Sequence, residues 1–271
     1  MKLLINTPLT WILLIVVLGF SACTQDDGTA NDVDLIPNDV LQKIANLGFS
    51  IDNVTQDEGD YIVEGDIILR SQDLERGYQH SETLRFANEE QYHTFNLVTG
   101  LPRTITVTTS GRNITTGLSN AINAAIARYN AENLGLTFVR GGSNGGGTIN
   151  IRVVNTPQYI AAAGFPDSNG DPFNDIRYSR FYNNYSLGFM TTVIAHEIGH
   201  CIGFRHTDYM NRSYSCGSGG NEGQETTGVG AVHIPGTPTG PDANSWMLAC
   251  LSSTTDRPFN ANDKTALSYL Y

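Results

Sequence analysis

The residues of this chain best suited to chemistry are His196, Glu197, His200 and His206, within the run Val193-Ile194-Ala195-His196-Glu197-Ile198-Gly199-His200-Cys201-Ile202-Gly203-Phe204-Arg205-His206. On a helix, residues four apart share one face, so the imidazoles of His196 and His200 can reach the same metal ion. Glu197 stands one residue off that face, near enough to serve a metal-activated water without ligating the metal. Gly203 can take a positive φ at little cost, which lets the chain leave the helix sharply and His206 swing back as a third ligand. Three neutral histidines leave one tetrahedral vertex open, the coordination of a catalytic rather than a structural zinc ion. Zinc brings the pKa of a bound water to about 7, and Glu197 is placed to take its proton. A lone HExxH string arises by chance in many helical proteins. The extended pattern His196-Glu197-x-x-His200-x-x-Gly203-x-x-His206 is far more specific. Protonation of three histidines competes with zinc, so activity is expected to fall below about pH 6.

Such a site needs a rigid helix. Leu187, Phe189, Met190, Val193, Ile194 and Ile198 supply apolar faces for one. Upstream, Ile105 and Val107 alternate with threonines as a half-buried strand, and Leu118, Ile122, Ala125, Ile126 and Tyr129 recur at helical spacing. Leu136 to Val139, then Ile149, Ile151 and Val153, read as further strands, with a flexible glycine-rich turn at 141–147 between them and a fourth strand at 176–182. Strand, helix, strands and a long helix give an α+β order. Before residue 101 the pattern is thinner: a short helix from Val40 to Leu47 ended by Gly48, strand structure at 61–63 and 67–69, and another helical start at Ser71. Residues 86–104 show no firm pattern.

The zinc segment resembles the metzincin metallopeptidases. Its HEIGH string and the flanking Arg205-His206-Thr207-Asp208 are most similar to the bacterial dual-action HEIGH metallopeptidase family. Val63-Glu64-Gly65-Asp66-Ile67, Ser245-Trp246-Met247-Leu248-Ala249-Cys250 and the C-terminal Phe259-Asn260-Ala261-Asn262-Asp263 extend the resemblance over most of the chain after about residue 40. It implies a metzincin-like catalytic domain at 101–271. That domain would have a twisted, mostly parallel sheet, a backing helix, the zinc helix, a Met-turn and a C-terminal helix. A small propeptide-like region at 37–100 would precede it. Met247 matches the methionine that packs beneath the ligands. The tyrosine that some metzincins carry two residues later is Ala249 here. An edge strand within 104–154 is implied to pair with an extended substrate. The loop between His206 and Met247 is implied to shape the pocket on the leaving side, with Tyr209 and His233 expected at its surface.

The string around Asp66 also resembles the Phe-x-Gly-Asp motif of astacin-type propeptides, whose aspartate caps the zinc. A bend between two strands needs Gly-Asp on its own account, so a plain turn is the first expectation and a latent zinc ligand at Asp66 the second. Latency would require cleavage within about 86–103. Asp167-Ser168-Asn169-Gly170-Asp171 offers calcium-like oxygen spacing, but no glutamate follows at the twelfth position. A turn is the first reading there and Ca2+ binding the second.

The N-terminus reads as a signal peptide: Lys2, an apolar stretch centred on residues 11–18, then small residues before Cys23. Phe20-Ser21-Ala22-Cys23 resembles a lipobox, which implies cleavage after residue 22, lipid on Cys23, and a membrane contact through that anchor. An acidic tether at 23–36 follows. The expectation is an exported bacterial lipoprotein of the outer membrane or cell surface, or a released mature form. With Cys23 lipidated, Cys201, Cys216 and Cys250 leave one disulfide and one free thiol, and all three pairs stay open. The excess of 27 Asp+Glu over 16 Lys+Arg, net −11, argues against general nucleic-acid binding. The function expected is a zinc endopeptidase acting on protein or peptide, with Glu197 as general base. The rival is a catalytically silent surface-binding lipoprotein that keeps the zinc fold.

Overall fold

The computed structural model describes residues 36–76, 91–222, 230–238 and 240–271. The expected signal peptide, Cys23, the tether to residue 35 and the first residues of the expected cleavage stretch lie outside the described residues.

The elements run α1 (Asn38–Asn46), β1 (Thr55–Asp57), β2 (Asp60–Val63), β3 (Ile67–Leu69), α2 (Ser71–Arg76), β4 (Tyr92–His93), β5 (Arg103–Gly111), α3 (Thr116–Asn130), β6 (Leu136–Arg140), β7 (Ile149–Val154), β8 (Ala161–Ala162), β9 (Asp175–Ser179), α4 (Leu187–Cys201), α5 (Ser213–Cys216), β10 (Val232–His233) and α6 (Ala261–Leu270). The main sheet has the order β6-β5-β7-β9-β8. Four of its strands are parallel, and β8 is antiparallel to β9. The α+β class with a mostly parallel sheet follows directly. The alternating Ile149, Ile151 and Val153 all face the core, as a half-buried strand demands.

Helix α3 presents Leu118, Ile122, Ala125, Ile126 and Tyr129 to one core shared by the sheet and α4. The Tyr129 hydroxyl donates to the Ala195 carbonyl at 2.7 Å and accepts from Trp246 Nε1 at 3.2 Å. One side chain thus ties the backing helix to α4 and to the segment around Met247. Ser186 caps α4 by accepting from Phe189 N. Every residue from 189 to 201 is buried, so α4 is held on all sides. Leu187 is the exception among the expected packing residues. It is 51% exposed, because it sits in the first turn, ahead of the core.

The N-terminal elements have a small core of their own, in which Ile44, Phe49, Val63, Ile67, Leu69 and Leu74 pack with Phe165. Their hairpin docks on the sheet edge: Ile68 N donates to Ala163 O at 2.7 Å, and Ala163 N donates to Asp66 O at 2.9 Å. Arg177 pairs with Asp57 and Asp60 beside it. The expected domain boundary at residue 100 is not a gap in packing, for Ile36–Tyr271 form one compact unit. Residues 91–99, which carry no sequence pattern, are woven into the second region. β4 pairs with β10, Thr94 N donates to Gly203 O, and Val98 N donates to the Tyr271 hydroxyl.

Asp263 closes the other end of that weave. Its carboxylate accepts from Gln91 Nε2, Trp246 N and Asn260 N at 2.9, 3.3 and 2.9 Å, the last completing a capping box at the start of α6. Burial pushes this carboxyl up to about 7. Asp263→Ala leaves two buried donors and a half-buried one without that acceptor and should cost about 3 kcal/mol, read as a lowered denaturation midpoint. A loss under about 0.5 kcal/mol would show that the network carries no stability.

Candidate active site

Helix α4 carries His196 and His200 on one buried face. The chain then leaves it at Gly203, whose φ is +108°. A Cβ there would lie 2.8 Å from a Leu97 methyl and 3.0 Å from Asn96 O, so both the backbone angle and the packing require glycine. His206 returns as expected. The three Nε2 atoms stand 3.0 Å (196–200), 3.2 Å (196–206) and 3.2 Å (200–206) apart. Each Nδ1 has an oxygen acceptor: Trp246 O at 2.7 Å for His196, Phe204 O at 2.8 Å for His200, and the Glu222 carboxylate at 2.8 Å for His206. Donation from Nδ1 turns three Nε2 lone pairs toward one point.

That donor set fits a zinc ion. Tetrahedral bonds of about 2.0–2.1 Å set nitrogen–nitrogen edges near 3.3 Å, close to those observed, and no single proton can serve three converging lone pairs. Burial pushes the His200 pKa well down, which keeps that ring neutral. Burial opposes a proton on His206 as well, but the Asp66 and Glu222 carboxylates outweigh it and raise His206.

Met247 lies beneath this group. A Cβ on Gly199 would sit 2.5 Å from the Met247 sulfur and 3.1 Å from Trp246 Nε1, which explains the glycine inside HEIGH. Met247 O accepts from Thr207 N, and Asp208 accepts from Ala249 N and Ser215 Oγ. These bonds and the Cys216–Cys250 disulfide fasten the loop after His206 to the Met247 segment. Cys201 is the free, buried thiol.

Asp66 lies in the expected turn and also close to the three histidines. Glu64 and Gly65 take φ of +56° and +88° in the β2–β3 turn, and Asp66 N donates to Val63 O. The same turn brings Asp66 Oδ2 to 3.2 Å from His206 Nε2 and 3.6 Å from His196 Nε2. Asp66 and the three histidines form a group able to hold one metal ion. Burial would raise Asp66, yet the nearby His206 and His196 rings hold it well below the usual carboxylate range. Glu197 lies beside the group. Its Oε2 has no hydrogen-bond partner among the described residues. Burial first, then the Asp66 charge, pushes the Glu197 carboxyl well above the ordinary range. His196, Glu197 and Asp66 line a cleft of about 290 Å³ with Ala249 and Leu251.

Sequence reasoning missed Glu222. It also lies 3.6 Å from Arg205 and 3.6 Å from Arg212. A signal existed, because metal-binding histidines nearly always give their second nitrogen to an oxygen acceptor, often a carboxylate, and few acids follow His206. Arg205, fully buried, reaches Glu64 at 3.6 Å and lies over the Phe49 ring at 4.7 Å. Tyr209 was expected at the surface. It is buried instead, because its ring packs edge-on against Tyr92 at 4.2 Å; His233 is half-buried. In the 167–171 loop, Asp167 accepts from Asn169 N and Asp171 N, and Asp171 pairs with Arg103, which is a turn's use of both acids.

The match of a family model over most of the length places the chain among the metallopeptidases. It belongs to the dual-action HEIGH metallo-peptidase family, whose model covers residues 62–271. That membership implies zinc. No curated protein matches the chain. Two solved structures of myroilysin are similar to it. One is 14% identical over 65% of this chain and 96% of that one, with a TM-score of 0.43. The other is 14% identical over 63% and 83%, with a TM-score of 0.38.

Proposed function

We propose that the chain is an exported, metzincin-type zinc endopeptidase, held latent by Asp66, that hydrolyses peptide bonds with Glu197 as general base. The observation that carries this reading is the convergence of three Nε2 atoms within 3.2 Å of one another, beside a buried carboxylate that has an unpartnered oxygen. His196, His200 and His206 would hold the ion. Bound zinc would polarise the scissile carbonyl and acidify the attacking water. Glu197 accepts the proton of that water and delivers it to the leaving amine. Trp246 O, Phe204 O and Glu222 fix the tautomer and aim of each ring.

Residues 37–100 act as a propeptide in this reading, and residues 101–271 carry the chemistry. Asp66 in the β2–β3 turn would supply a fourth ligand, and Ile67 and Ile68 lie along the edge at Ala163 beyond β8, outside the 104–154 range expected to hold the edge that pairs with an extended substrate. Export draws support from the Cys216–Cys250 bond, which suits an oxidising compartment, and the lipid anchor at Cys23 rests on its lipobox-like sequence alone.

The test is zinc content of the purified chain together with chelator-sensitive cleavage of an unfolded protein such as casein. A chain that binds no zinc, or whose cleavage survives chelation, overturns the reading. Glu222→Gln should weaken zinc about 10–100-fold in competition with a chromophoric chelator. Unchanged affinity would remove Glu222 from the site.

A further inference from the structure

Arg212 is the one Lys or Arg among the described residues lining the cleft. Its backbone is pinned on both sides: Arg212 N donates to Gly220 O, Cys216 N donates to Arg212 O, and Cys216 is bonded to Cys250. The guanidinium lies against the docked turn, where a Cβ on Gly65 would come within 3.4 Å of Nη2. Burial works against its charge, and the carboxylates of Asp66, Glu222, Glu64 and Asp208 outweigh it.

Two of these four acids, Asp66 and Glu64, sit on the N-terminal hairpin. The Glu222 carboxylate stands 3.6 Å from Arg212 and is already engaged by His206 and Arg205. When the hairpin leaves, the guanidinium loses two of these four acidic neighbours and opens toward the cleft that it lines. A planar, permanently charged fork in such a setting is matched by a carboxylate.

We propose that Arg212 is a specificity residue that selects peptides with an aspartate or glutamate next to the scissile bond. The hairpin acids hold that place in the intact chain. This rests on the peptidase reading above.

The test uses the full chain carrying Asp66→Ala after limited proteolysis has freed the hairpin, with peptides varied at the positions flanking the cleaved bond. With Arg212 present, kcat/KM for the Asp peptide should exceed that for the matching Asn peptide by about 10–100-fold. In Arg212→Gln the ratio should fall to about one, and Arg212→Glu should shift the preference to the Lys peptide, with zinc content unchanged in both. Equal cleavage of Asp and Asn peptides with Arg212 present would overturn the assignment and leave the peptidase reading standing. An unaltered acidic preference in zinc-loaded Arg212→Gln would overturn it too. Absence of cleavage of every peptide by a zinc-loaded chain would overturn both.

Discussion

Glu197→Gln is expected to keep zinc and fold while turnover falls by at least about 10²–10⁴-fold. That range is what a positioned acid–base group contributes. The amide matches the carboxylate in shape but cannot take a proton. Glu197 is not among the four residues whose ligand atoms converge, so metal content should not change. The native carboxylate is buried with an unpartnered oxygen, and removing its charge relieves that burial. The melting temperature should therefore hold or rise while activity disappears. A Glu197→Gln chain with full zinc and near-native kcat would end the general-base assignment without touching the metal site.

The second large effect concerns Asp66. In the intact chain, Asp66→Ala should raise peptidase activity by at least about tenfold. A tethered ligand worth even ~1.4 kcal/mol shifts the closed-to-open ratio that far. Full release should give more than this, because other contacts still hold the hairpin after the substitution: Arg205 with Glu64, Arg177 with Asp57 and Asp60, and the backbone bonds to Ala163. The turn itself should survive, since Glu64 and Gly65 carry the positive φ angles. Activity measured before and after limited proteolysis checks the reading. If the untreated native chain already matches the processed one, Asp66 is a turn residue and nothing more.

What the sequence disclosed was what lies close along the chain. Helix spacing brings His196 and His200 together, and Gly203 frees His206, all within a short run, so local geometry suffices. The Leu118 to Tyr129 face and the Ile149 strand were legible for the same reason. The partners of those rings were not. Glu222 sits in a Gly-, Asn- and Ser-rich loop without periodicity. Asp66 was offered as a zinc ligand only through the family resemblance, because it reaches the site by a hairpin that docks on a distant strand. Residues 91–99 have little pattern because their bonds go one at a time to Gly203, Tyr271 and β10, a mode of binding that leaves no repeat. Tyr209 looked solvated because its neighbours in sequence are polar, but its neighbour in space is Tyr92.

The placement of Trp246 has a practical consequence. Its indole is fully buried against Tyr129, and its carbonyl holds the first zinc-facing imidazole. The chain has two tryptophans, and the other, Trp11, falls in the expected signal peptide. A chain processed there carries a single tryptophan, which can be excited apart from the tyrosines and sits next to Met247 in sequence. Its emission should be blue-shifted, and stripping the ion should change its intensity, so the protein would report its own metal occupancy without an added dye.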